Sequence, residues 1–263
     1  MCKIICIKKQ KVRWIMYKEA ILLFLIGHFL GDYYFQTDGS VKNQTTKVVL
    51  QHSLIYTLTL VLMSLLIFSG PVFIAAIVIS FTHLVIDYIK YQYKLKKKTT
   101  YENSVFIYAL DQALHLLIIL LSGSFLIFNQ IEISYFSHLE NLILQLQLNT
   151  EAILSWILIL LIIYKPSSIS IRIVLDHFEP KHKKEEDEGI TNAGALIGIF
   201  ERFIILMMLN AGQLTAIGFV LTAKSVARYN KISEDPQFAE YYLLGTLLSS
   251  LLIIVSYTLI FHG

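Results

Sequence analysis

The first long apolar segment of this sequence ends in the stretch Gly27-His28-Phe29-Leu30-Gly31-Asp32-Tyr33-Tyr34-Phe35-Gln36. Residues four apart share one face of an α-helix, so His28, Asp32 and Gln36 are expected to point the same way. Ionisable side chains inside a membrane segment are costly and usually face a protein interior or a wet cavity. The stretch therefore predicts a membrane helix with one polar face that serves a function.

The composition around this stretch is that of a polytopic membrane protein. Of the 263 residues, 56% are hydrophobic and 16% are charged, whereas soluble domains carry about 25% charged residues. The mean hydropathy is +0.62, and the apolar runs are too long for core strands. We predict an all-α transmembrane bundle with about eight spans, or seven if the short seventh one is not a span: 17–36, 47–69, 71–91, 104–128, 151–170, 190–210, 212–231 and 239–261.

Four regions are expected along the chain. They are a basic N-terminal extension at 1–15, a four-helix half at 16–128, an outer-face segment at 129–150 with a short amphipathic helix, and a C-terminal helical half at 151–263. Removing the five Lys and Arg residues of the extension from the formal charge of +3 leaves −2. We expect Met16 to be the native start, the alternative being a basic tail on the membrane surface.

The distribution of basic residues predicts the orientation. Loop 90–103 carries five lysines, whereas segment 129–150 carries no Lys or Arg. By the positive-inside rule the first is cytoplasmic and the second external, which places the N-terminus outside. The net charge does not imply a nucleic-acid partner, and the expected partner is the lipid bilayer, with a homo-oligomer left open.

The polar residues of the first half sort by depth. Those around loop 37–46 are His28, Asp32, Gln36 and, after the loop, His52. Those around loop 90–103 are His83, Asp87, Lys90 and, after the loop, Asp111, Gln112 and His115. Because consecutive spans are antiparallel, all of these residues are expected in one leaflet, and the scaffold is expected to bring them together.

Imidazole and carboxylate groups in this pattern favour a metal site. Both are good ligands for zinc, manganese or iron, and a His and an Asp four apart on one helix can reach a common ion. The predicted ligands or their immediate supports are His28, Asp32, His52, His83, Asp87, Asp111 and His115. An aspartate without a metal bond can serve as the catalytic base, so Asp32, Asp87 and Asp111 are the catalytic candidates. Gln36, Lys90 and Gln112 are candidate substrate contacts at the rim.

Two other interpretations of the same residues stay open. One is a substrate or proton pocket without metal. The other is a buried polar network that fixes helix packing, at roughly 0.6–2 kcal/mol for each hydrogen bond.

The second half carries its own charged set, Glu201, Arg202, Lys224, Arg228 and Glu240. These residues can neutralise one another as ion pairs between helices, with Glu201 and Glu240 as the acids. Alternatively, Arg202, Lys224 and Arg228 bind a phosphate or carboxylate of the substrate. Neither interpretation is preferred from the sequence.

The ordered motifs resemble a known family. His28-x-x-x-Asp32-x-x-x-Gln36, then His52, His83-x-x-x-Asp87-x-x-Lys90 and Asp111-Gln112-x-x-His115 are similar to the bacterial membrane family called domain of unknown function 3307. The resemblance runs from Met16 to about Leu251, since Gly194 to Arg202, Lys224-Ser225 with Arg228, Glu240-Tyr241 and Gly245-Thr246 look like its longer members. It implies a multi-pass protein of the bacterial cytoplasmic membrane. It assigns no activity.

The function expected from the residues is metal-dependent hydrolysis of a lipid-linked or small anionic substrate. The motif style is similar to that of membrane-bound metal-dependent hydrolases, by analogy only. A proton-coupled carrier that uses the same His/Asp chain is the alternative, and a sensor or assembly partner without turnover is the third. The chain shows no nucleotide-binding loop, serine nucleophile elbow or His-Glu-x-x-His helix.

Overall fold

A computed structural model describes the backbone of residues 2–36, 45–96, 101–176, 178 and 193–262. Its first helix, α1 (Cys2–Phe29), continues into a five-residue π-helical turn (Leu30–Tyr34). The other elements are α2 (Thr46–Ile67), β1 (Phe68–Ser69), α3 (Val72–Lys96), α4 (Tyr101–Phe128), β2 (Ser134–Tyr135), α5 (Ser137–Leu146), α6 (Thr150–Leu175), α7 (Ala193–Asn210), α8 (Leu214–Val226), α9 (Tyr229–Glu234) and α10 (Pro236–His262).

Within the described ranges, six helices are long and apolar enough to cross a membrane. They are Arg13–Tyr34, Thr46–Ile67, Val72–Lys96, Ser104–Phe128, Thr150–Leu175 and Pro236–His262. The all-α class is therefore confirmed, and the six helices are compatible with a membrane protein, but the count of eight spans is not confirmed. The predicted seventh span is divided into α8 and the short α9. At about 1.5 Å per residue, α8 is shorter than a hydrocarbon core of about 30 Å.

The chain divides into two compact units, Met1–Leu158 and Ile159–Gly263. In unit 1, α1 packs against α2 and α4, α2 packs against α3, and α3 packs against α4. The two short strands pair antiparallel, with Phe68 opposite Tyr135. The apolar core lies between the four long helices and includes Phe24, Tyr56, Leu60 and Ile119, all almost fully buried. Segment 129–150, where an amphipathic helix was predicted, contains α5.

Two glycines allow α1 and α2 to approach closely. A Cβ atom at Gly27 would lie 2.4 Å from Cδ1 of Leu60, and one at Gly31 would lie 2.5 Å from Cδ2 of Tyr56. Small residues four apart are a common way for membrane helices to pack, because lipid offers no hydrophobic driving force between helices. Gly31 also lies in the π turn, which the i→i+5 hydrogen bond from Phe35 N to Leu30 O (3.0 Å) closes. The glycine pair thus brings Tyr56 against the end of α1.

A second polar group of unit 1 lies earlier in α1. The carboxylate of Glu19, buried to 1% exposure, accepts hydrogen bonds from the hydroxyls of Tyr135 and Thr150. Burial and the neighbouring carboxylate raise the pKa of Tyr135 above its ordinary value, so its hydroxyl stays protonated and donates. Glu19 therefore joins α1 to the strand segment and to the start of α6.

Unit 2 is built around α7 and α10, with α8 against α7 and α9 against α10. Its buried apolar residues include Ile163, Ile205 and Ile253. Pro166 lies inside α6, where proline removes a backbone donor and other groups must satisfy the freed carbonyls. The guanidinium of Arg202 donates to the carbonyl oxygen of Ile163 at 2.9 Å, which supplies one such contact.

We predict that Gly31→Ala destabilises the protein, because the added methyl group meets a buried aromatic ring. The expected loss in the free energy of unfolding is about 1–3 kcal/mol, typical of overpacking. Gly218→Ala is the matched control: its Cβ would meet nothing within 4 Å, and alanine is the better helix former. Unfolding in detergent, followed by circular dichroism, measures both. Equal melting curves for Gly31→Ala and wild type would contradict the close approach of α1 and α2.

Removing the Glu19 carboxylate should also destabilise the protein. We expect Glu19→Ala to lower the free energy of unfolding by about 1–3 kcal/mol, since the partly buried hydroxyls of Tyr135 and Thr150 lose their acceptor. Glu151→Ala serves as control, because its carboxylate forms a partly exposed ion pair with Lys18 at 3.0 Å, and such pairs contribute about 0–1 kcal/mol. The same unfolding experiment applies. A smaller loss for Glu19→Ala than for Glu151→Ala would contradict this role.

Candidate functional site

The four long helices of unit 1 bring all seven predicted ligands into one cluster. The end of α1 and its π turn supply His28 and Asp32, α2 supplies His52, α3 supplies His83 and Asp87, and α4 supplies Asp111 and His115. All are buried except Asp32, which is partly buried. We call these seven residues the His/Asp cluster.

Asp32 accepts contacts from three imidazoles. Its Oδ1 lies 2.8 Å from Nε2 of His83 and 3.3 Å from Nε2 of His52, and its Oδ2 lies 3.9 Å from Nδ1 of His28. The residue lies in the middle of the π turn, a local widening of the helix that is frequent at functional sites. The four-residue spacing predicted His28 as a neighbour of Asp32, and the order of the spans predicted His52 and His83, but neither predicted the π turn that positions Asp32.

Asp87 is the second shared carboxylate. Its Oδ2 lies 3.4 Å from Nε2 of His52 and 3.7 Å from Nδ1 of His83, and its Oδ1 lies 3.9 Å from Nε2 of His115. His115 is also 3.5 Å from Oδ1 of Asp111, one helical turn away on α4. The two carboxylates Asp32 and Asp87 are thus linked through His52 and His83.

The imidazole rings are themselves in contact. The rings of His83 and His115 are stacked with centroids 4.3 Å apart, and the ring of Tyr56 stacks on His83 at 3.7 Å. Among the described residues, Nε2 of His28 and Nδ1 of His83 are buried and have no hydrogen-bond partner. Buried polar atoms are nearly always satisfied by protein groups or by water, so both nitrogens can accept a further partner.

The candidate rim residues lie at different distances from this cluster. The ammonium group of Lys90 is inside it, 2.6 Å from Oδ1 of Asp87. The side-chain amide of Gln112 donates to Asp32 and to Asp111, each at 3.3 Å. Gln36 lies two residues beyond the π turn and is half-buried.

Three tyrosines are part of the site although the sequence interpretation assigned no role to them. The hydroxyl of Tyr33 lies 2.7 Å from that of Tyr108 and donates to Oε1 of Gln112 at 2.9 Å, which orients the amide nitrogen of Gln112 toward the carboxylates. Tyr56 adds its ring to the histidine stack. A signal was present in two cases, since Tyr56 follows His52 by four residues and Tyr108 precedes Gln112 by four.

The charged residues of the second half lie in unit 2 and form a separate group. Arg202 is buried and donates to Ser168 at 2.6 Å as well as to the Ile163 carbonyl. The ammonium group of Lys224 lies 2.5 Å from Oε2 of Glu201. Arg228 lies 6.0 Å from the ring centre of Phe238, and Glu240 is exposed on α10. The Lys224–Glu201 contact is of the kind expected for a structural ion pair. An anion-binding role stays a prediction.

The His/Asp cluster contains groups of side chains that could hold a metal ion. Three sets of residues each offer ligand atoms within 4.8 Å of one another: His28, Asp32 and His83; His52, His83 and Asp87; and Asp87, Asp111 and His115. With metal–ligand bonds of about 2.1 Å, two ligands of a tetrahedral ion lie about 3.4 Å apart. The observed contacts of His52 with Asp32 and Asp87 are close to that spacing.

Comparison with known proteins gives a family but no activity. No curated protein and no solved structure matches the chain. Residues 20–144 match the family described as "Protein of unknown function (DUF3307)", and this is the family that the ordered motifs resemble. The matched residues contain the entire His/Asp cluster, whereas the resemblance predicted for the later half lies outside them. The segment that builds this cluster is therefore similar to the DUF3307 family over residues 20–144.

Proposed function

We propose that the His/Asp cluster binds a divalent metal ion and that the protein is a metal-dependent hydrolase of the bacterial cytoplasmic membrane. The observation that carries this proposal is the charge of the cluster. Its three aspartates bring three negative charges, and the ammonium group of Lys90 lies within 3 Å of two of them, Asp87 and Asp111. With neutral imidazoles the net charge is −2, which one divalent ion neutralises.

Charge compensation has a strong physical basis at this depth. An ion moved from water into a low-dielectric interior loses solvation worth several kcal/mol, even after relaxation. Charged groups in membrane segments therefore pair with one another or bind ions. Hydrogen bonds from Gln112 reduce this cost but add no charge. A divalent ion supplies both the missing charge and the partner that the free imidazole nitrogens lack.

His83 is the expected centre of the ligand set. It belongs both to the set with His28 and Asp32 and to the set with His52 and Asp87. Its Nε2 now contacts Asp32 at 2.8 Å, a hydrogen-bond distance that must lengthen if both groups are to bind one ion. Imidazole and carboxylate donors suit zinc, manganese and iron(II). Gln112 would hold the Asp32 carboxylate in place, as hydrogen bonds around metal ligands commonly do.

The chemistry follows from such a centre. When bound, the ion supplies a Lewis acid and lowers the pKa of a coordinated water, which makes hydroxide available near neutral pH. The chain supplies carboxylates within the cluster that can accept the proton of that water, and Asp32, Asp87 and Asp111 are the candidates. Burial excludes bulk water from the reacting groups.

The substrate is proposed to be anionic and to reach the centre from the membrane surface. The basic residues at this end of unit 1 are exposed: Lys47 lies in the first turn of α2, and Lys94 and Lys96 lie in the last turn of α3. Such residues attract phosphate and carboxylate groups and also favour the cytoplasmic side. A lipid-linked or small phosphate ester fits this surface.

Metal content is the direct test of the centre. We expect protein purified without added metal to contain about one equivalent of a divalent ion, and His83→Ala to lose most of it, because His83 serves both ligand sets. Mutation of a residue that only hydrogen-bonds to a metal ligand commonly lowers the metal affinity 10- to 100-fold, and removal of a ligand itself is expected to lower it more. His138→Ala, an exposed histidine of α5, should keep the metal. Elemental analysis decides this, and equal metal in the His83 and His138 variants would overturn the centre.

Turnover is the second test. We expect hydrolysis of phosphate esters, offered as a set of lipid-linked and small compounds, to stop after treatment with a chelator and to return when zinc or manganese is added back. The rate is expected to fall by at least about 100-fold, the lower range for loss of acid–base catalysis. Activity that survives complete metal removal would contradict a metal-dependent hydrolase.

A proton-coupled carrier is the second candidate function. The observation that favours it is the continuous ring contact among the four histidines. The ring centroids of His28 and His115 lie 5.4 Å apart, and those of His52 and His83 also lie 5.4 Å apart. Imidazoles in contact can pass protons, and intramembrane His/Asp chains are typical of proton relays. Substrate-dependent acidification inside proteoliposomes, without product formation, would favour this function over hydrolysis.

A further inference from the structure

Lys90 holds an unusual position for a lysine of a membrane helix. Its ammonium group lies between two buried carboxylates and donates to Oδ1 of Asp87 at 2.6 Å and to Oδ2 of Asp111 at 2.9 Å. Its side chain is 21% exposed, so the four-carbon stem is largely packed while the charge faces the cluster. From the sequence, Lys90 was expected at the rim as a substrate contact, and the structure instead places it between the acids.

The carboxylates that hold Lys90 also belong to a possible metal site. Asp87, Asp111 and His115 offer ligand atoms within 4.8 Å of one another and are all buried. A cation bound there would occupy the region between Asp87 and Asp111. The ammonium group already occupies it, and its two contacts have hydrogen-bond length.

We propose that Lys90 takes the place of a second metal ion and restricts the centre to one. The inference rests on the proposed function, since it concerns how many ions the same cluster binds. Two-metal hydrolases place ions about 3.5–4 Å apart to contact both the attacking and the leaving oxygen. Here the second positive charge is a fixed ammonium group of the chain itself.

The charges of the cluster lead to the same conclusion. With Lys90 present, one divalent ion brings the net charge of −2 to zero, and a second would leave an excess of +2 in a buried site. Without the ammonium group, the three aspartates carry −3 and one ion no longer neutralises them. The freed Asp87, Asp111 and His115 set then has both the charge and the space to take another ion.

The consequence for chemistry concerns the developing negative charge on the substrate. Lysine is a compact, strongly hydrated point charge, and in this position its ammonium group can contact a phosphate oxygen while remaining paired with Asp87. Lys90 is therefore a positioning residue that sets the number of ions, and it also supplies positive charge beside the reacting centre.

The test compares Lys90→Met with Lys90→Arg. Methionine removes the charge but keeps an unbranched side chain of similar length, whereas arginine keeps the charge. Each protein is saturated with Mn²⁺, freed of excess metal and measured by elemental analysis and by electron paramagnetic resonance. We expect one equivalent in the wild type and in Lys90→Arg. Lys90→Met should approach two equivalents and show the signal of a coupled manganese pair.

A second uncharged variant guards against misfolding. Lys90→Gln removes the charge but keeps a side-chain amide that can donate hydrogen bonds, so Asp87 and Asp111 are not left without a donor if Lys90→Met does not fold. We expect about two equivalents of Mn²⁺ in Lys90→Gln. One equivalent in a folded Lys90→Gln overturns the inference.

The outcomes separate the two proposals. A wild type that binds no Mn²⁺ overturns the proposed metal centre itself. A wild type with one equivalent and a folded Lys90→Met that also stays at one overturns only the role of Lys90. Two equivalents of Mn²⁺ in the wild type, which retains Lys90, also overturn the proposed role of Lys90.

Discussion

Three carboxylates buried between four membrane helices are the constraint on which unit 1 depends. Asp87 and Asp111 are buried and Asp32 is only 10% exposed, so water solvates these charges poorly and they need partners on neighbouring helices. The partners are four imidazoles, one ammonium group and one amide, and they come from all four long helices. Hydrogen bonds of this kind contribute only about 0.6–2 kcal/mol each in a membrane, but together they specify one relative arrangement of the helices. Helix packing and the chemistry of the cluster therefore require the same arrangement of the four helices.

Close helix packing makes that arrangement attainable. Gly27 and Gly31 let α2 approach α1, and the approach presses the ring of Tyr56 onto His83. The π turn at the same place positions Asp32 among three histidines. At a distance along α1, Glu19 ties the helix to β2 and α6 through two hydroxyl groups. The first helix is thus attached to its neighbours at two places, through Asp32 at the π turn and through Glu19 earlier in α1.

Much of this site could be predicted from spacing alone. A four-residue interval places two side chains on one face of a helix, and it occurs in His28/Asp32, His83/Asp87 and Asp111/His115. The order of the spans then places these three pairs at the same depth. Neither periodicity nor depth gives the rotation of one helix against another, so the placement of Lys90 between two acids was not foreseen. The π turn escaped prediction because its sequence is compatible with an ordinary α-helix. The three tyrosines were given no role in the site from the sequence, because aromatic side chains near helix ends usually lie at the membrane interface. The count of eight spans rested on hydropathy, and α8 is too short to support it.

The cluster and its supporting residues all fall within one contiguous part of the chain. The family match at 20–144 lies inside unit 1, and every side chain that contacts the cluster in the described residues comes from that same stretch. In genetic terms, the centre is a single cassette: one uninterrupted segment of coding sequence specifies the ligands, the counter-charge and the packing that holds them. A fragment that keeps unit 1 therefore keeps every residue of the cluster, whatever follows it in the chain.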